Sequence, residues 1–205
     1  MVIRRSFGFC ASHIVRNCTS QRCANSIHGH NYKVEIFITA SSLDSAGMVL
    51  DFGLFKTQIA DFIDGFDHAH HFWDKESLEF RDFIDKYSAR YVELSVNPSA
   101  ENYALVLLFY IDKFLEASAF ANSEGALQVA SVRVHETDHG YAEAFRADLE
   151  NPALMGHIHW DTLKFSEAIC LEWKDPQMLH KLKTYHQNPH TQEKPFKNST
   201  PPHQV

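Results

Sequence analysis

"HGHNYKVEIFITA", residues 28–40, decides the fold of this chain. His28, His30, Tyr32, Val34, Ile36 and Ile38 fall at alternate positions, with Asn31, Lys33, Glu35 and Thr39 between them. A period of two with one apolar side is a β-strand that faces a core on one side and solvent on the other. The same alternation runs through residues 2–15, where Phe7, Phe9, Ala11 and His13 share one face and Arg4, Ser6, Gly8 and Cys10 share the other. The connection between the two segments is short and polar, so they are expected to pair as antiparallel neighbours.

Further along, "LDSAGMVLDF" supplies a turn and a short extended piece. Phe55, Ile59, Phe62, Ile63 and Phe66 recur at helical spacing, which predicts a helix over residues 53–65. "DHAHHF" follows, and then a charged, aromatic stretch to residue 96 that reads only as an irregular or partly helical insert. "NPSAEN" starts a helix, with Pro98 in the first turn and Asn97 or Ser99 as its cap. This helix, residues 99–117, is apolar on most faces. In "GALQVASVRVHET" the alternation returns, with Ala130, Val132, Val134 and Glu136 on one side and Val129, Arg133 and His135 on the other. "HGYAEAFRA" makes the second strand of that hairpin. The order β-β-α-α-β-β predicts an α+β fold, helices laid on one face of an antiparallel sheet, over residues 1–148. Residues 149–205 form an extension, with a helix near 162–173, another opened by Asp175 and Pro176, and a Pro-, Asn-, Thr- and His-rich tail expected to be disordered.

Composition narrows the function. At 205 residues, with 44% hydrophobic and 22% charged residues, the chain is long enough for one proper core. A formal charge of −7 without a basic block argues against nucleic acid as the partner. No apolar run approaches the roughly 20 residues needed to span a bilayer. The polar N-terminus breaks any signal-peptide pattern, so a cytoplasmic protein without a membrane partner is expected. Cys10, Cys18, Cys23 and Cys170 are too few for a disulfide scaffold, which leaves free thiols, metal ligands or nucleophiles.

Three groups of residues carry possible chemistry. His28 and His30 project together from one strand, and His13 ends the neighbouring strand on the matching face. Three imidazoles with an open fourth position make a catalytic metal site, here zinc. Gly29 between them suits a close backbone approach. A histidine on an apolar face is otherwise simply a hydrogen-bonded core residue, and Cys18, Cys23, His28 and His30 offer a rival, closed structural zinc site. Cys23, near such a cation, would favour its thiolate and take a proton; alternatively it is an inert loop cysteine. Asp67 and His68, with His70 and His71, form a proton relay or a solvated loop. Glu136, turned to the apolar side, needs donors. A flat heterocycle with adjacent N–H groups, such as a pterin or guanine, would satisfy it, as would an arginine.

In combination, "FCASHIV", "C-x4-HGHNY", "GMVLDFG", the Asp67–His68 pair, "PSAEN" and "VHETD", in this order over residues 3–145, resemble the 6-pyruvoyl- and 6-carboxy-tetrahydropterin synthase family. The resemblance implies a tunnelling fold, whose β-β-α-α-β-β subunits close into a barrel as a homo-oligomer, a trimer or hexamer. It implies that His13, His28 and His30 bind zinc, that Cys23 is the base and that Asp67 and His68 complete the relay. Glu136 would grip the pterin, with Ser99 in the pocket where the family often has Thr. Leu54 stands where the family often has Asp. The implied substrate is 7,8-dihydroneopterin triphosphate, and the spacing from Cys23 to His28 is nearer the bacterial type that makes 6-carboxy-5,6,7,8-tetrahydropterin, acetaldehyde and triphosphate. The rivals are an enzyme that stops at the 6-pyruvoyl product and a pterin or purine binder without catalysis.

Overall fold

The computed structural model of the chain describes residues 1–188 and 193–198. β1 (Val2–His13) is followed by the short helix α1 (Gln21–Asn25) and by β2 (His28–Ala40). A single 3-10 turn, Leu54–Lys56, then precedes α2 (Gln58–Asp64). The helix expected over residues 53–65 therefore divides at Thr57, whose backbone (φ −123°, ψ −104°) is not helical. The insert supplies β3 (Ala69–Trp73), α3 (Leu78–Tyr87) and β4 (Tyr91–Leu94). Next come α4 (Ala100–Glu116), β5 (Ser118–Ala119), β6 (Leu127–Thr137) and β7 (Gly140–Phe145). The extension contributes α5 (Pro152–Met155), β8 (Leu163–Phe165), α6 (Glu167–Glu172), α7 (Met178–Gln187) and β9 (Phe196–Lys197).

One seven-stranded sheet, in the order β7-β6-β2-β1-β3-β4-β8, organises the chain. Its first four strands are the two expected antiparallel pairs, joined where β2 lies against β6. β1 and β2 pair from Val2↔Thr39 to His13↔His28, which carries both alternating faces into register. The apolar face, with Phe9, Ala11, Tyr32, Val34, Ile36, Ile38, Val132 and Val134 buried, packs on α2 and α4. α4 is buried nearly all round, and its Ser99 side chain accepts a hydrogen bond from the Asn102 N–H at 3.4 Å, as a helix cap should.

Three features depart from the expected pattern. The insert adds β3 and β4 as parallel strands to the free side of β1. It also places α3 on the opposite face of the sheet, where Phe80 packs against His70, 5.7 Å between ring centroids. A register shift between Phe37 and Ile38 leaves Ala130 unpaired, so Val129 joins Val132 and Val134 in the core rather than lying with Arg133 and His135. The extension is not separate from the sheet, since β8 forms its last strand beside β4.

Part of the tail read as disordered from sequence is ordered. β9 pairs in parallel with β5, Phe196 packs on Phe114 at 5.4 Å, and the Asn198 side chain accepts a hydrogen bond from Leu54 N–H at 2.9 Å. The rest of that tail, 189–192 and 199–205, lies outside the described residues. A Cβ on Gly53 would sit 1.6 Å from the Asn198 carbonyl oxygen, so the tail crosses where only glycine fits. Phe196 is 2% exposed, and Phe196→Ala is expected to cost about 3 kcal/mol. At about 2–4 °C per kcal/mol for a chain this size, a thermal melt should show the midpoint lowered by roughly 6–12 °C. An unchanged midpoint would mean that the tail does not seal the core. No helix among the described residues is long and apolar enough to cross a membrane.

Candidate metal centre and active site

The strand pairing that places His13 opposite His28 and Ala11 opposite His30 brings three imidazoles to one spot. Each of His13, His28 and His30 offers a ring nitrogen, and these nitrogens lie within 4.8 Å of one another. Gly29 allows the approach, because a Cβ there would meet the Ala11 carbonyl oxygen at 2.8 Å. Two of the rings are oriented by carbonyl acceptors. His13 donates its Nδ1–H to Pro98 O at 2.7 Å and His28 donates its Nδ1–H to Ser26 O at 3.0 Å. Since a carbonyl can only accept, Nε2 of each ring is left as a lone pair, the form a cation requires. Burial, reinforced by His28, His30 and His70, pushes His13 down to about 4, against the pull of the Pro98 carbonyl. His30 is also lowered, chiefly by burial, against the opposing charge of Glu136. His13 is thus neutral near pH 7, and the cluster of three imidazoles is suited to a metal ion. Among the described residues neither Cys18 nor Cys23 belongs to it.

The loop after β1 is pinned to the start of α4, which is what fixes the Pro98 carbonyl. Arg16 N–H donates to Asn97 Oδ1 at 3.1 Å, and the Asn97 amide donates back to Arg16 O. The Arg16 guanidinium then spans two further segments. It grips Glu76 of the insert at 2.6 and 2.9 Å and donates to Ala24 O of α1 at 3.0 Å. α1 carries Cys23, whose carbonyl accepts Val15 N–H at 2.9 Å, so the half-buried thiol stands on a segment tied to the end of β1. Cys18 Sγ turns to its own loop, donating to Ser20 O at 3.2 Å.

Glu136 lies beside the imidazoles. Its Oε1 is 3.8 Å from both His13 Nε2 and His30 Nε2, and it accepts a hydrogen bond from Tyr32 Oη at 3.5 Å. Glu136 is the residue left unpaired at the register shift between His135 and Thr137, a bulge that directs its side chain. Tyr32 was not singled out from sequence as functional. Alternation did put it on the histidine face, but nothing in the sequence shows that its hydroxyl reaches Glu136. Burial and the nearby Glu136 carboxylate raise its pKa well above the usual phenol range, so it stays a donor. Ser99, next to Pro98, serves as the cap of α4.

Asp67 and His68 form a hydrogen-bonded pair. Asp67 Oδ2 meets His68 Nδ1 at 2.7 Å, and Oδ1 accepts Cys10 N–H at 2.6 Å. His68 has a left-handed backbone (φ 51°) and lines a cavity of about 340 Å³ with Cys10, Ser12, His30, Asn31 and His70. Cys23 is not among its lining residues. The two other histidines of the cluster are inside the protein. His71 is held by Tyr103 Oη at 2.7 Å and Phe66 O at 3.0 Å, and His70 Nδ1 by Ser12 Oγ at 2.9 Å. Burial pushes them to about 3 and about 4 respectively. The unfolded chain therefore takes up protons first as the pH drops, so their contribution is full above about 6.5 and is lost toward 3. Denaturant unfolding of the metal-free protein at pH 7.5, 6 and 5 should show a falling midpoint. A midpoint independent of pH would contradict the burial of neutral rings.

A mixed sheet with helices on its apolar face and three convergent imidazoles at one end defines an α+β protein with a cluster that fits a metal ion. Comparison with known proteins places it further. The model of the family described as 6-pyruvoyl tetrahydropterin synthase matches residues 2–147. A 6-carboxy-5,6,7,8-tetrahydropterin synthase of Helicobacter pylori (strain J99 / ATCC 700824) is 56% identical over 182 residues, 89% of this chain and 91% of that protein. One from Rickettsia bellii is 36% identical over 122 residues, 57% of this chain and 81% of that one. Among solved structures, an uncharacterized protein from Wolinella succinogenes superposes with a TM-score of 0.57 at 21% identity, covering 71% of this chain and 98% of that one. A catalytic-residue mutant of Plasmodium vivax 6-pyruvoyltetrahydropterin synthase gives 0.51 at 17%, with the same coverage. The chain belongs to the 6-pyruvoyl tetrahydropterin synthase family, and its fold is the tunnelling fold. The stretch shared with the Helicobacter pylori protein is longer than the family match, so it takes in residues past 147 as well.

Proposed function

We propose that this protein is a zinc-dependent carbon–carbon lyase that converts 7,8-dihydroneopterin triphosphate and water to 6-carboxy-5,6,7,8-tetrahydropterin, releasing acetaldehyde and triphosphate. Such a step belongs to 7-deazaguanine (queuosine) biosynthesis. The observation that carries the reading is the open three-imidazole cluster with Glu136 beside it, in a chain 56% identical to a 6-carboxy-5,6,7,8-tetrahydropterin synthase over nearly its whole length.

His13, His28 and His30 would hold the zinc, which when bound supplies a Lewis acid for the hydroxyls of the substrate side chain. Glu136, with Tyr32 donating to one of its oxygens, would accept the adjacent N–H groups of the pterin and fix the ring. Ser99 would line the same pocket from the start of α4. Cys23 would take the proton from the carbon next to the bound hydroxyl. The Asp67–His68 pair would pass protons, the carboxylate orienting the ring through the 2.7 Å contact. The reading includes a homo-oligomer, trimer or hexamer, in which a neighbouring subunit would complete the relay. A cytoplasmic location, with neither membrane nor nucleic acid as partner, fits this soluble-substrate chemistry.

The test is product analysis. Purified protein with zinc and 7,8-dihydroneopterin triphosphate should yield acetaldehyde and the 6-carboxy pterin in equal amounts. A 6-pyruvoyl product without acetaldehyde would replace this reading with the related synthase, and substrate bound but unchanged would indicate a binder.

A further inference from the structure

Three residues of the extension close on the turn between α2 and β3, the turn that carries Asp67 and His68. The ring of Trp173 lies so near Gly65 that a Cβ there would stand 3.1 Å from it. Lys174 N–H donates to the Asp61 carboxylate at 3.0 Å. Glu172, the last residue of α6, pairs with the guanidinium of Arg90. That guanidinium is largely buried and has two further acceptors in the same turn. Its Nε–H donates to Asp67 O at 3.0 Å, and Nη2 donates to Asp64 O at 2.9 Å. One planar fork thus joins two backbone carbonyls of the turn to a carboxylate of the extension, at fixed angles that a lysine ammonium does not reproduce.

The peptide joining Asp67 to His68 is held at both ends, its oxygen by Arg90 and its N–H by Cys10 O at 2.7 Å. A planar unit pinned in this way sets the φ of His68, here 51°, in the left-handed region that a residue with a Cβ enters only at a cost. The His68 ring is mostly exposed, with Asp67 Oδ2 as its partner, so its direction comes from the backbone beneath it. We propose that Arg90, braced by Glu172 of the extension, is the positioning residue that holds the 67–68 peptide and thereby aims the His68 ring. The consequence for the reaction rests on the reading of Asp67 and His68 as the proton relay; the hold on the peptide does not. The extension then belongs to the machinery that keeps the relay turn in one conformation.

Hydrogen exchange at the His68 amide and steady-state kinetics test this with Arg90→Lys and Glu172→Gln, both of which keep the bulk of the side chain. Exchange at His68 is expected to quicken about tenfold in Arg90→Lys and severalfold in Glu172→Gln, with exchange in β1 and β2 unchanged. The kcat should fall by about the same factors while KM and metal content stay at wild-type values, since a displaced reacting group costs rate rather than binding. His68→Ala is then measured alone and together with Glu172→Gln. Because Glu172 acts through His68, the second substitution should cost nothing further in the His68→Ala background. An equal loss in both backgrounds would reveal general loosening and overturn the proposal, as would His68 exchange untouched by either variant. Wild-type turnover of His68→Ala would sink the relay reading alone, since exchange at the His68 amide is read without activity.

Discussion

With His30 replaced by alanine, the purified protein is expected to carry less than about a tenth of a metal ion per chain and to lose product formation by roughly a thousandfold or more. His30 is the informative choice among the three imidazoles. His13 is fully buried and bonded to Pro98, so removing it would leave a cavity and an orphaned carbonyl as well as a missing ligand. The His30 side chain is 22% exposed, and its replacement costs packing little. A site with three protein ligands does not retain a divalent ion at ordinary concentration on two, and the missing Lewis acid alone accounts for several kcal/mol of the barrier. Elemental analysis and a product assay give the two readings together. Full metal content with undiminished turnover would mean that the cluster is a core feature of the strand pair.

Cys23→Ala should separate chemistry from binding. Turnover is expected to fall by about 10²–10⁴, the usual worth of a positioned base, while metal content and pterin affinity stay at wild-type levels. The closed alternative with Cys18, Cys23, His28 and His30 predicts the opposite, lost metal. The geometry favours the first outcome, because the converging nitrogens include His13 and neither thiol. If turnover survives the change, the base lies elsewhere, and the reading of α1 as its carrier fails.

The legible part of the fold is the part with one wet and one dry face. β1 and β2 alternate, so their pairing and the meeting of His13 with His28 and His30 could be read from residue order, whereas the pairing of β2 with β6 and the bulge that brings Glu136 to the imidazoles could not. What escaped reading has a different signature. In β3, Ala69, His70, His71 and Phe72 are all buried, because α3 covers one face and α4 the other, and a strand buried on both sides shows no alternation. β4 and β8 are too short to show a period. The bulge at Ala130 reverses the face of Val129 without any local sign. The side-chain bridges escaped as well. The Arg16 ties to Glu76, Asn97 and Ala24 join segments far apart in the chain, and only the folded sheet brings them together.

The position of β8 and β9 bears on how the protein is made. β4 is paired on its outer side by residues 163–165, and the slot around Phe114 and Leu54 is closed by residues 196–198. During synthesis the histidine-bearing strands, the insert and α4 emerge first, and their open strand edge must wait for these later segments. A nascent chain paused before them presents an unpaired strand next to an uncovered aromatic patch, the combination that templates self-association. Prompt release and chaperone cover over that interval would then govern yield more than the strength of the finished core.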